Sequence, residues 1–506
     1  MLPSMIRRTT VVVLAATLAL VACNSDFEPA TFDSIAGDSV VVSTTTTAST
    51  TTASSTTTVV QPPRDIEDLL GLGDTRYPGL GNGGYDVEHY TIDLTFDPTP
   101  NTINALVLID ATATESLEAF SLDFVGHEVS AVTIDGSEVA FQRRDGELII
   151  EPAAMIASGQ TFQTSVSYSG TPAPVRSMAL PFDLGWRTDP SGVAYVVSEP
   201  DGGRSWLPLN DHPSDKATYT FMITVPDPLI AAANGTLVER ITDLGWATWV
   251  WESPEPMASY LATVVIGDLA IVEDTNGTAV SGVAIRNVLP DDLSAASLDV
   301  LSTQGEMISF FEQIFGEYPF ATYGIAVVDG FEAALENQTL SIFGRDMVDF
   351  PGFFEIVLVH ELAHQWFGNS LTPGDWGDVW LNEGFATYAE WLWIEHTRGE
   401  SAMLSTIRGS RNQMALAADL EPPGNPPADD LFSGSVYIRG GLVLHALRIQ
   451  IGDEAFFETL LSYTSRYRDG VVRTSDFVAV AESVSGQDLG DLFDRWLYGE
   501  SVPELP

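Results

Sequence analysis

The 506-residue chain has few basic residues and almost no lysine. Its 22 Lys and Arg residues are outnumbered by 70 Asp and Glu residues, the formal net charge is -48, and Lys216 is the only lysine. A surface with this charge repels phosphate backbones and anionic lipid headgroups, so the composition argues against nucleic-acid binding. The acidic residues are scattered, which favours a solvated acidic surface; the alternative is a specific cationic partner.

Cysteine is almost absent as well, because Cys23 is the only one. A single cysteine excludes an intramolecular disulfide and a thiolate metal site. Arg7 and Arg8 precede an apolar stretch, Val11–Ala22, that is too short to span a bilayer, so residues 1–23 are predicted to be an export signal. Leu20–Cys23 resembles a bacterial lipobox, which predicts a cell-surface lipoprotein anchored to the membrane through Cys23. The alternative is an ordinary cleaved secretion signal.

Beyond this signal, no run of residues is long and apolar enough to cross a bilayer. The stretch Ser43–Thr58 consists almost entirely of threonine, serine and alanine. Such a stretch cannot bury enough apolar surface to offset the entropy lost on ordering. We therefore predict a disordered linker over residues 24–74, which would tether the folded part to its anchor.

The rest of the chain divides into two regions by hydrophobic periodicity. The full sequence contains 45% hydrophobic residues, enough to bury substantial cores. Strand-like alternation marks the first region, at Tyr90–Phe96, Leu148–Ile150 and Thr218–Val225. Apolar residues at helical spacing mark the second region, over 301–315, 353–367, 385–396 and 442–451. The prediction is an α+β multidomain protein, with a β domain over 75–270 followed by a mainly helical domain over 271–506.

A metal-binding pattern, His360-Glu361-Leu362-Ala363-His364, lies in the second region. On a largely buried helix, a spacing of four residues places both imidazoles on one face, where they can share one tetrahedral zinc. Glu361 then lies beside the metal and can take a proton from its water as general base. The alternative is two core histidines on either side of a surface glutamate.

Glu383, near the start of the next helical segment, is the candidate third ligand. Three protein ligands leave one zinc position for water, which is the arrangement of a catalytic site with one zinc per chain. Alternatively, Glu383 is an acid favoured at a helix N-terminus by the macrodipole. Gly384 is expected to let this helix approach the metal helix closely. Asp378 and Glu390 are candidates for orienting the imidazoles.

These residues resemble the metal signature of the zinc aminopeptidases of the aminopeptidase N and leukotriene hydrolase type. The resemblance includes the flanking Trp366-Phe367-Gly368-Asn369 and Trp380-Leu381-Asn382-Glu383-Gly384, and it extends over most of the mature chain, to residues 81–87, 206–213, 260–261 and 496–499. It implies an N-terminal antiparallel β saddle, a thermolysin-like catalytic domain and removal of residues from peptide N-termini. Because the chain ends soon after Gly499, it also implies the short form that lacks the long C-terminal helical domain.

The resemblance also implies a site for the free amine of a peptide substrate. Ala333-Ala334-Leu335-Glu336-Asn337 stands where the family has Gly-Ala-Met-Glu-Asn, so Glu336 is expected to bind the amine while Ala333, Ala334 and Asn337 line the substrate. Glu199 aligns with a second amine-binding residue; alternatively it is a surface acid before a proline turn. Two carboxylates are suitable partners for one buried ammonium. Ala333 and Leu335 depart from the family pattern, so the first pocket is expected to differ in shape.

Tyr437 resembles the tyrosine of this family that stabilises the oxyanion opposite zinc. The alternative is a tyrosine of the core. Together these features predict a zinc aminopeptidase acting on peptides with a free N-terminus. Two rival predictions are a thermolysin-like endopeptidase, which does not need Glu336 and Glu199, and a non-enzymatic surface binding protein on a peptidase scaffold. Epoxide hydrolase activity is known in the resembling family, but nothing in this sequence indicates it.

Overall fold

The computed structural model describes residues 65–274, 282–417 and 421–505. Its N-terminal domain is built from strands. They are β1 (Tyr85–Asp97), β2 (Thr102–Ala113), β3 (Phe120–Asp123), β4 (Glu128–Ile134), β5 (Ser137–Glu138), β6 (Ala140–Arg144), β7 (Glu147–Glu151), β8 (Thr161–Gly170), β9 (Val175–Arg176), β10 (Asp183–Thr188), β11 (Ala194–Val197), β12 (Lys216–Pro226), β13 (Ile230–Ala233), β14 (Thr236–Asp243), β15 (Trp246–Ala258) and β16 (Val264–Gly267).

These strands form three sheets. The largest has the order β14-β15-β12-β1-β2-β8-β4-β5, the second β13-β16-β11-β10-β9, and the third β3-β7-β6. In the largest sheet β1 and β12 run parallel, and the other neighbouring strands run antiparallel. Every second residue of β12 is buried, which is the alternation that its sequence shows. The β domain and its three predicted strands, which lie within β1, β7 and β12, are confirmed.

The second domain is mainly helical, as predicted, and also contains a sheet. Its elements are β17 (Ala270–Asp274), β18 (Ala284–Leu289), α1 (Ala295–Leu301), α2 (Gln304–Phe315), β19 (Thr322–Tyr323), β20 (Ile325–Val328), β21 (Ala334–Leu335), β22 (Ser341–Gly344), α3 (Arg345–Val348), α4 (Pro351–Ala363), β23 (Thr372–Pro373), α5 (Trp380–Arg398), α6 (Glu400–Leu416), α7 (Gly440–Ile451), α8 (Asp453–Tyr467), β24 (Val471–Val472), α9 (Thr474–Ser485) and α10 (Gly490–Phe493). There are also two π-helical turns. Ser435–Arg439 directly precedes α7, and Asp494–Tyr498 directly follows α10.

The sheet of this domain has the order β17-β18-β20-β22-β21, with β19 beside β18. The sequence pattern did not predict it, because strands such as β20 and β22 are short and wholly buried. A strand buried on both faces shows no apolar–polar alternation. The edge strand β21 and the helix α5 both contact α4, so the metal-binding pattern lies where sheet and helices meet.

The segment before β1 corrects part of the linker prediction. Residues 65–74 were assigned to the disordered linker, yet Ile66–Asp68 forms a 3-10 helix and Leu69 is buried. Asp74 accepts a hydrogen bond of 2.7 Å from the backbone N–H of Trp376. These contacts are made with residues far along the chain, which local composition does not reveal. The predicted signal, Cys23 and the rest of the linker lie outside the described residues.

Over the described ranges, no helix is both long and apolar enough to cross a bilayer.

Candidate metal and substrate site

The helix α4 carries the metal-binding pattern at its C-terminal end. Pro351 occupies its first turn, where a missing N–H costs nothing, and His364 caps its end. The hydrogen-bonded turns continue as far as Gly368, whose φ of 119° is a conformation that favours glycine. A Cβ at Gly368 would lie 3.1 Å from Nδ2 of Asn382 and 3.5 Å from Nδ1 of His364. The glycine therefore allows the chain to turn tightly beside the metal ligand.

His360, His364 and Glu383 bring their ligand atoms together. Nε2 of His360 lies 3.2 Å from Oε2 of Glu383, and Nε2 of His364 lies 3.5 Å from the same oxygen. Zinc bound tetrahedrally at about 2.0–2.1 Å separates its ligands by about 3.3 Å, so these distances suit zinc. Burial opposes ionisation of Glu383, but His364 and hydrogen bonds from the two imidazoles lower its pKa to about 2. The site thus offers two imidazoles and a carboxylate, which is a zinc donor set.

The second nitrogen of each imidazole is also held. Nδ1 of His360 lies 2.8 Å from Oε1 of Glu390, and Nδ1 of His364 lies 3.0 Å from the backbone oxygen of Phe367. These contacts fix the ring orientation and leave Nε2 of each ring for the metal. Glu390 follows Glu383 by about two turns of α5 and so shares its face. The prediction that Asp378 also orients an imidazole was wrong. Its carboxylate instead accepts a 2.6 Å hydrogen bond from the hydroxyl of Thr474.

Gly384 is needed for a different approach from the one predicted. A Cβ at this position would lie 2.8 Å from the backbone carbon of Gly440, at the start of α7. The helix α5 does contact the metal helix α4, but Gly384 is not what allows it, since this glycine lies against the start of α7. The π-helical turn just before Gly440 carries Tyr437, whose ring stacks on His360 with centroids 5.8 Å apart. Tyr437 is thus placed directly beside a metal ligand.

Glu361 is buried next to the ligands. Its side chain, with those of Glu336 and His364, brings one ligand atom each to within 4.8 Å of the others. Burial raises the pKa of Glu361 to about 8, although His360 and His364 act in the opposite direction. A bound dication would favour the ionised form further. Glu361 therefore lies beside the set of His360, His364 and Glu383, at a position where it could exchange a proton with a metal-bound water.

Two further carboxylates, those of Glu199 and Glu336, lie close to Glu383. Oxygen atoms of Glu199, Glu336 and Glu383 lie within 4.8 Å of one another. Glu199 is 4% exposed and Glu336 is 3% exposed, and among the described residues Oε1 of each has no hydrogen-bond partner. Burial, followed by repulsion from Glu336, raises the pKa of Glu199 well above its usual value. A cation bound between the two groups would favour their ionised forms.

The backbone around Glu336 is held by side chains that the sequence analysis did not select. The oxygen of Glu336 accepts hydrogen bonds from Nε2 of Gln365, at 3.1 Å, and from Nδ2 of Asn369, at 2.7 Å. Oε1 of Gln365 also accepts from the N–H of Thr339, at 2.9 Å. Gln365 and Asn369 both lie within five residues after His364. This closeness to the metal-binding pattern is the sequence signal that could have identified them as supports of the site.

The three residues predicted to line the substrate, Ala333, Ala334 and Asn337, lie on either side of Glu336 and make different contacts. The backbone oxygen of Ala333 accepts from the N–H of Gly344, and Ala334 is half-buried in β21. Nδ2 of Asn337 donates to the backbone oxygen of Leu261 at 3.2 Å. Asn337 therefore joins the two domains, while the edge strand that contains Ala334 adjoins the carboxylate pair.

Comparison with known proteins follows the two domains. The family description "Peptidase M1 N-terminal domain" matches residues 86–261, and "Peptidase family M1 domain" matches residues 300–496. An M1 zinc metallopeptidase from Deinococcus radiodurans is 31% identical with a TM-score of 0.80, covering 86% of this chain and 99% of its own. The chain belongs to peptidase family M1. A mutant of the Deinococcus enzyme, solved bound to a Tyr-Ser-Ala substrate, is 32% identical with a TM-score of 0.79.

More distant members of family M1 are longer. Aminopeptidase N of Streptomyces lividans is 28% identical over 333 residues, or 61% of this chain. Aminopeptidase M1-B of Oryza sativa subsp. japonica is 26% identical over 339 residues, or 63% of this chain. The chain spans 38% of the length of each of these relatives. The zinc site of family M1, with one zinc, corresponds here to His360, His364 and Glu383.

Proposed function

We propose that this M1 family protein is a zinc-dependent aminopeptidase that removes the first residue of peptides with a free N-terminus. One observation carries the proposal: next to a complete metal donor set, the buried carboxylates of Glu199 and Glu336 each have an oxygen without a partner among the described residues. A substrate ammonium supplies the cation that this pair lacks. The amine is then held close to the metal, which places the first peptide bond at the reacting centre.

The chain's own groups divide the work of hydrolysis between them. When bound, zinc supplies a Lewis acid that polarises the scissile carbonyl and makes water more acidic. Glu361 takes the proton of the attacking water at its carboxylate and delivers it to the leaving amide nitrogen. The hydroxyl of Tyr437 donates a hydrogen bond to the developing oxyanion. Glu199 and Glu336 hold the amine throughout, so the product is one free amino acid.

Support for an exopeptidase over an endopeptidase comes from the amine-binding pair alone. A thermolysin-like endopeptidase uses the same donor set and base, but it has no need for two buried carboxylates beyond them. A non-enzymatic binding protein on this scaffold does not require an intact base or an intact set of three ligands, and all four residues are present.

Metal removal and product analysis test the proposal together. The purified protein is stripped with a chelator, assayed on a panel of amino-acid amides and a free peptide, and assayed again after zinc is added. We expect activity to disappear with the metal and to return with one zinc per chain, and mass spectrometry to show residues removed one by one from the N-terminus. Full activity without metal, or cleavage within the peptide, would contradict the proposal.

We further propose that the protein works outside the cytoplasm, anchored by a lipid on Cys23. The basic pair Arg7 and Arg8, the short apolar stretch after it and the lipobox-like Leu20–Cys23 support this location. Cys23→Ala should move the protein from the membrane fraction to the soluble fraction and abolish labelling by a fatty acid. A labelled Cys23→Ala variant, or an unlabelled wild-type protein, would refute the anchor.

A further inference from the structure

The turn that follows the metal helix, residues 368–370, is held from two directions. Its N–H groups bond back to the helix, since those of Asn369 and Ser370 donate to the backbone oxygens of His364 and Gln365 at 3.0 and 3.1 Å. Its backbone oxygens accept hydrogen bonds from side chains of the β domain, and that of Asn369 also accepts from the hydroxyl of Thr372 at 3.0 Å. The turn therefore connects the end of the metal helix to the neighbouring domain.

Two residues of the β domain make these contacts. Nζ of Lys216, the only lysine in the chain, donates to the backbone oxygens of Asn369 and Ser370 at 2.9 and 2.8 Å. The hydroxyl of Tyr260 donates to the backbone oxygen of Gly368 at 3.1 Å. All three successive carbonyls of the turn are thus bound by Lys216 and Tyr260, which we call the clamp.

The clamp is a costly arrangement if it only stabilises the fold. Among the described residues, no carboxylate lies within ion-pair distance of Nζ of Lys216. Burial lowers the pKa of Lys216 to about 7, with Asp469 acting in the opposite direction. A lysine removed from water and bound only to neutral carbonyls contributes little net stability, since the hydrogen bonds replace those made with water. The effect of these hydrogen bonds is therefore to hold the turn 368–370 in place.

The turn carries groups that face both parts of the site. The backbone oxygen of Phe367, directly before Gly368, accepts from Nδ1 of His364. Nδ2 of Asn369 donates to the backbone oxygen of Glu336. A shift of this turn would therefore rotate a metal ligand and displace an amine-binding carboxylate together.

We propose that Lys216 and Tyr260 are positioning residues of the metal site, which hold the turn 368–370 and thereby fix His364 and Glu336. The role for Glu336 rests on the proposed aminopeptidase function, while the role for His364 rests only on the metal site. The clamp lies in the β domain, so the metal site of the catalytic domain depends on the neighbouring domain for its geometry.

The rate of zinc release tests the proposal. Zinc-loaded protein is mixed with an excess of a chromogenic chelator, and release is followed for wild type, Lys216→Met and Tyr260→Phe, with the thermal midpoint of each recorded. The matched control is Ile223→Ala, which shortens a buried side chain of the same strand β12, seven residues beyond Lys216. It lowers the thermal midpoint through a cavity in the core.

We expect Lys216→Met to release zinc about tenfold faster than wild type, as loss of outer-shell contacts does at other zinc sites. Tyr260→Phe should act in the same direction, and it alone decides if Lys216→Met does not fold. Ile223→Ala should lose thermal stability without faster release. Unchanged release in the clamp variants, or equally fast release in Ile223→Ala, would overturn the proposal. Because release is measured without substrate, this result is independent of the aminopeptidase function, which wild-type turnover tests separately.

Discussion

The metal half of the site, His360, His364 and Glu383, comes from two helices of one domain, whereas the amine half takes Glu336 from that domain and Glu199 from the β domain. In the metal half, both imidazoles have their second nitrogen bound, by Glu390 and by the backbone of Phe367. In the amine half, each of the two carboxylates keeps an oxygen that has no hydrogen-bond partner in the part of the chain that the structure describes.

The two halves differ in how far the protein's own hydrogen bonds satisfy their polar groups. The metal half is preorganised, since its ligands are oriented before any metal arrives. The amine half holds two carboxyl groups whose pKa values are raised by burial, and a bound cation would favour their ionised forms. In the proposed function, a peptide amine binds where the two domains meet, and this position would determine which end of the peptide is cut.

The largest expected effect is the loss of turnover when Glu361 is replaced, with the metal half and the amine half both unchanged. Glu361→Gln should keep zinc but lose turnover at least about 1,000-fold, because it can neither accept nor deliver the proton. Zinc content by metal analysis and turnover on an amino-acid amide are measured together. His364→Ala is the control that should lose the metal itself. Loss of zinc from Glu361→Gln would show that Glu361 belongs to the metal half.

Removing the hydroxyl of Tyr437 should have the next largest effect. Tyr437→Phe keeps the ring stacked on His360 but cannot donate to the oxyanion, so kcat should fall about 100-fold with little change in KM. Steady-state kinetics on one amide substrate measure this. A kcat equal to that of wild type would reduce Tyr437 to a packing partner of His360.

A conservative pair of substitutions sharpens the description of the metal half. Glu390→Gln weakens the contact that orients His360, so zinc affinity should fall about 10–100-fold. Asp378→Asn changes the carboxylate that binds Thr474 instead and should leave zinc affinity unaltered. Competition with a chelator of known affinity gives both values. Equal losses in the two variants would mean that general loss of negative charge, and not orientation, controls affinity.

The smallest expected effect concerns the junction between the domains. Burial disfavours the ionised form of Asp74. Hydrogen bonds from His212 and from backbone N–H groups, including that of Trp376, outweigh this effect and lower the pKa of Asp74 to about 2. A folded-state pKa below the ordinary value of 3.8 gives stability that is present above pH 3.8 and is lost as pH falls toward 2.

Asp74→Asn should therefore cost about 1–2 kcal/mol at pH 6, after allowance for solvent screening, and almost nothing near pH 2. Urea unfolding at a series of pH values, for wild type and Asp74→Asn, measures this. A cost for Asp74→Asn that stays constant from pH 6 to pH 2 would rule out the charged junction.

The metal half was the part that sequence could predict best. Its residues follow helical spacing, so a local pattern places His360 and His364 on one face and suggests Glu383 as the third ligand. Even here, the partners of the helices were not predictable. Gly384 turned out to face α7 and not α4, because local sequence shows that a glycine permits a close approach but not which neighbour makes it.

The amine half and its supports depend on contacts between distant segments. Glu199 and Glu336 were selected only through a family resemblance, since no spacing relates residues of different domains. Lys216 was noticed for its rarity, but its contacts with the turn 368–370 could not be inferred from composition. The ordered residues 65–74 were missed for the same reason, as their partners lie in both domains.

The most direct test of the account compares a free peptide with the same peptide acetylated at its N-terminus. Acetylation removes the cation and leaves Glu199 and Glu336 facing each other without a partner, and breaking such a buried pairing costs about 3–5 kcal/mol. The measured quantity is kcat/KM for both peptides, in wild type and in Glu336→Ala, with products identified by mass. The free peptide should be cleaved at least about 100-fold faster by wild type, and Glu336→Ala should narrow that ratio. Equal rates in wild type, or cleavage within the acetylated peptide, would contradict the amine half and point to an endopeptidase.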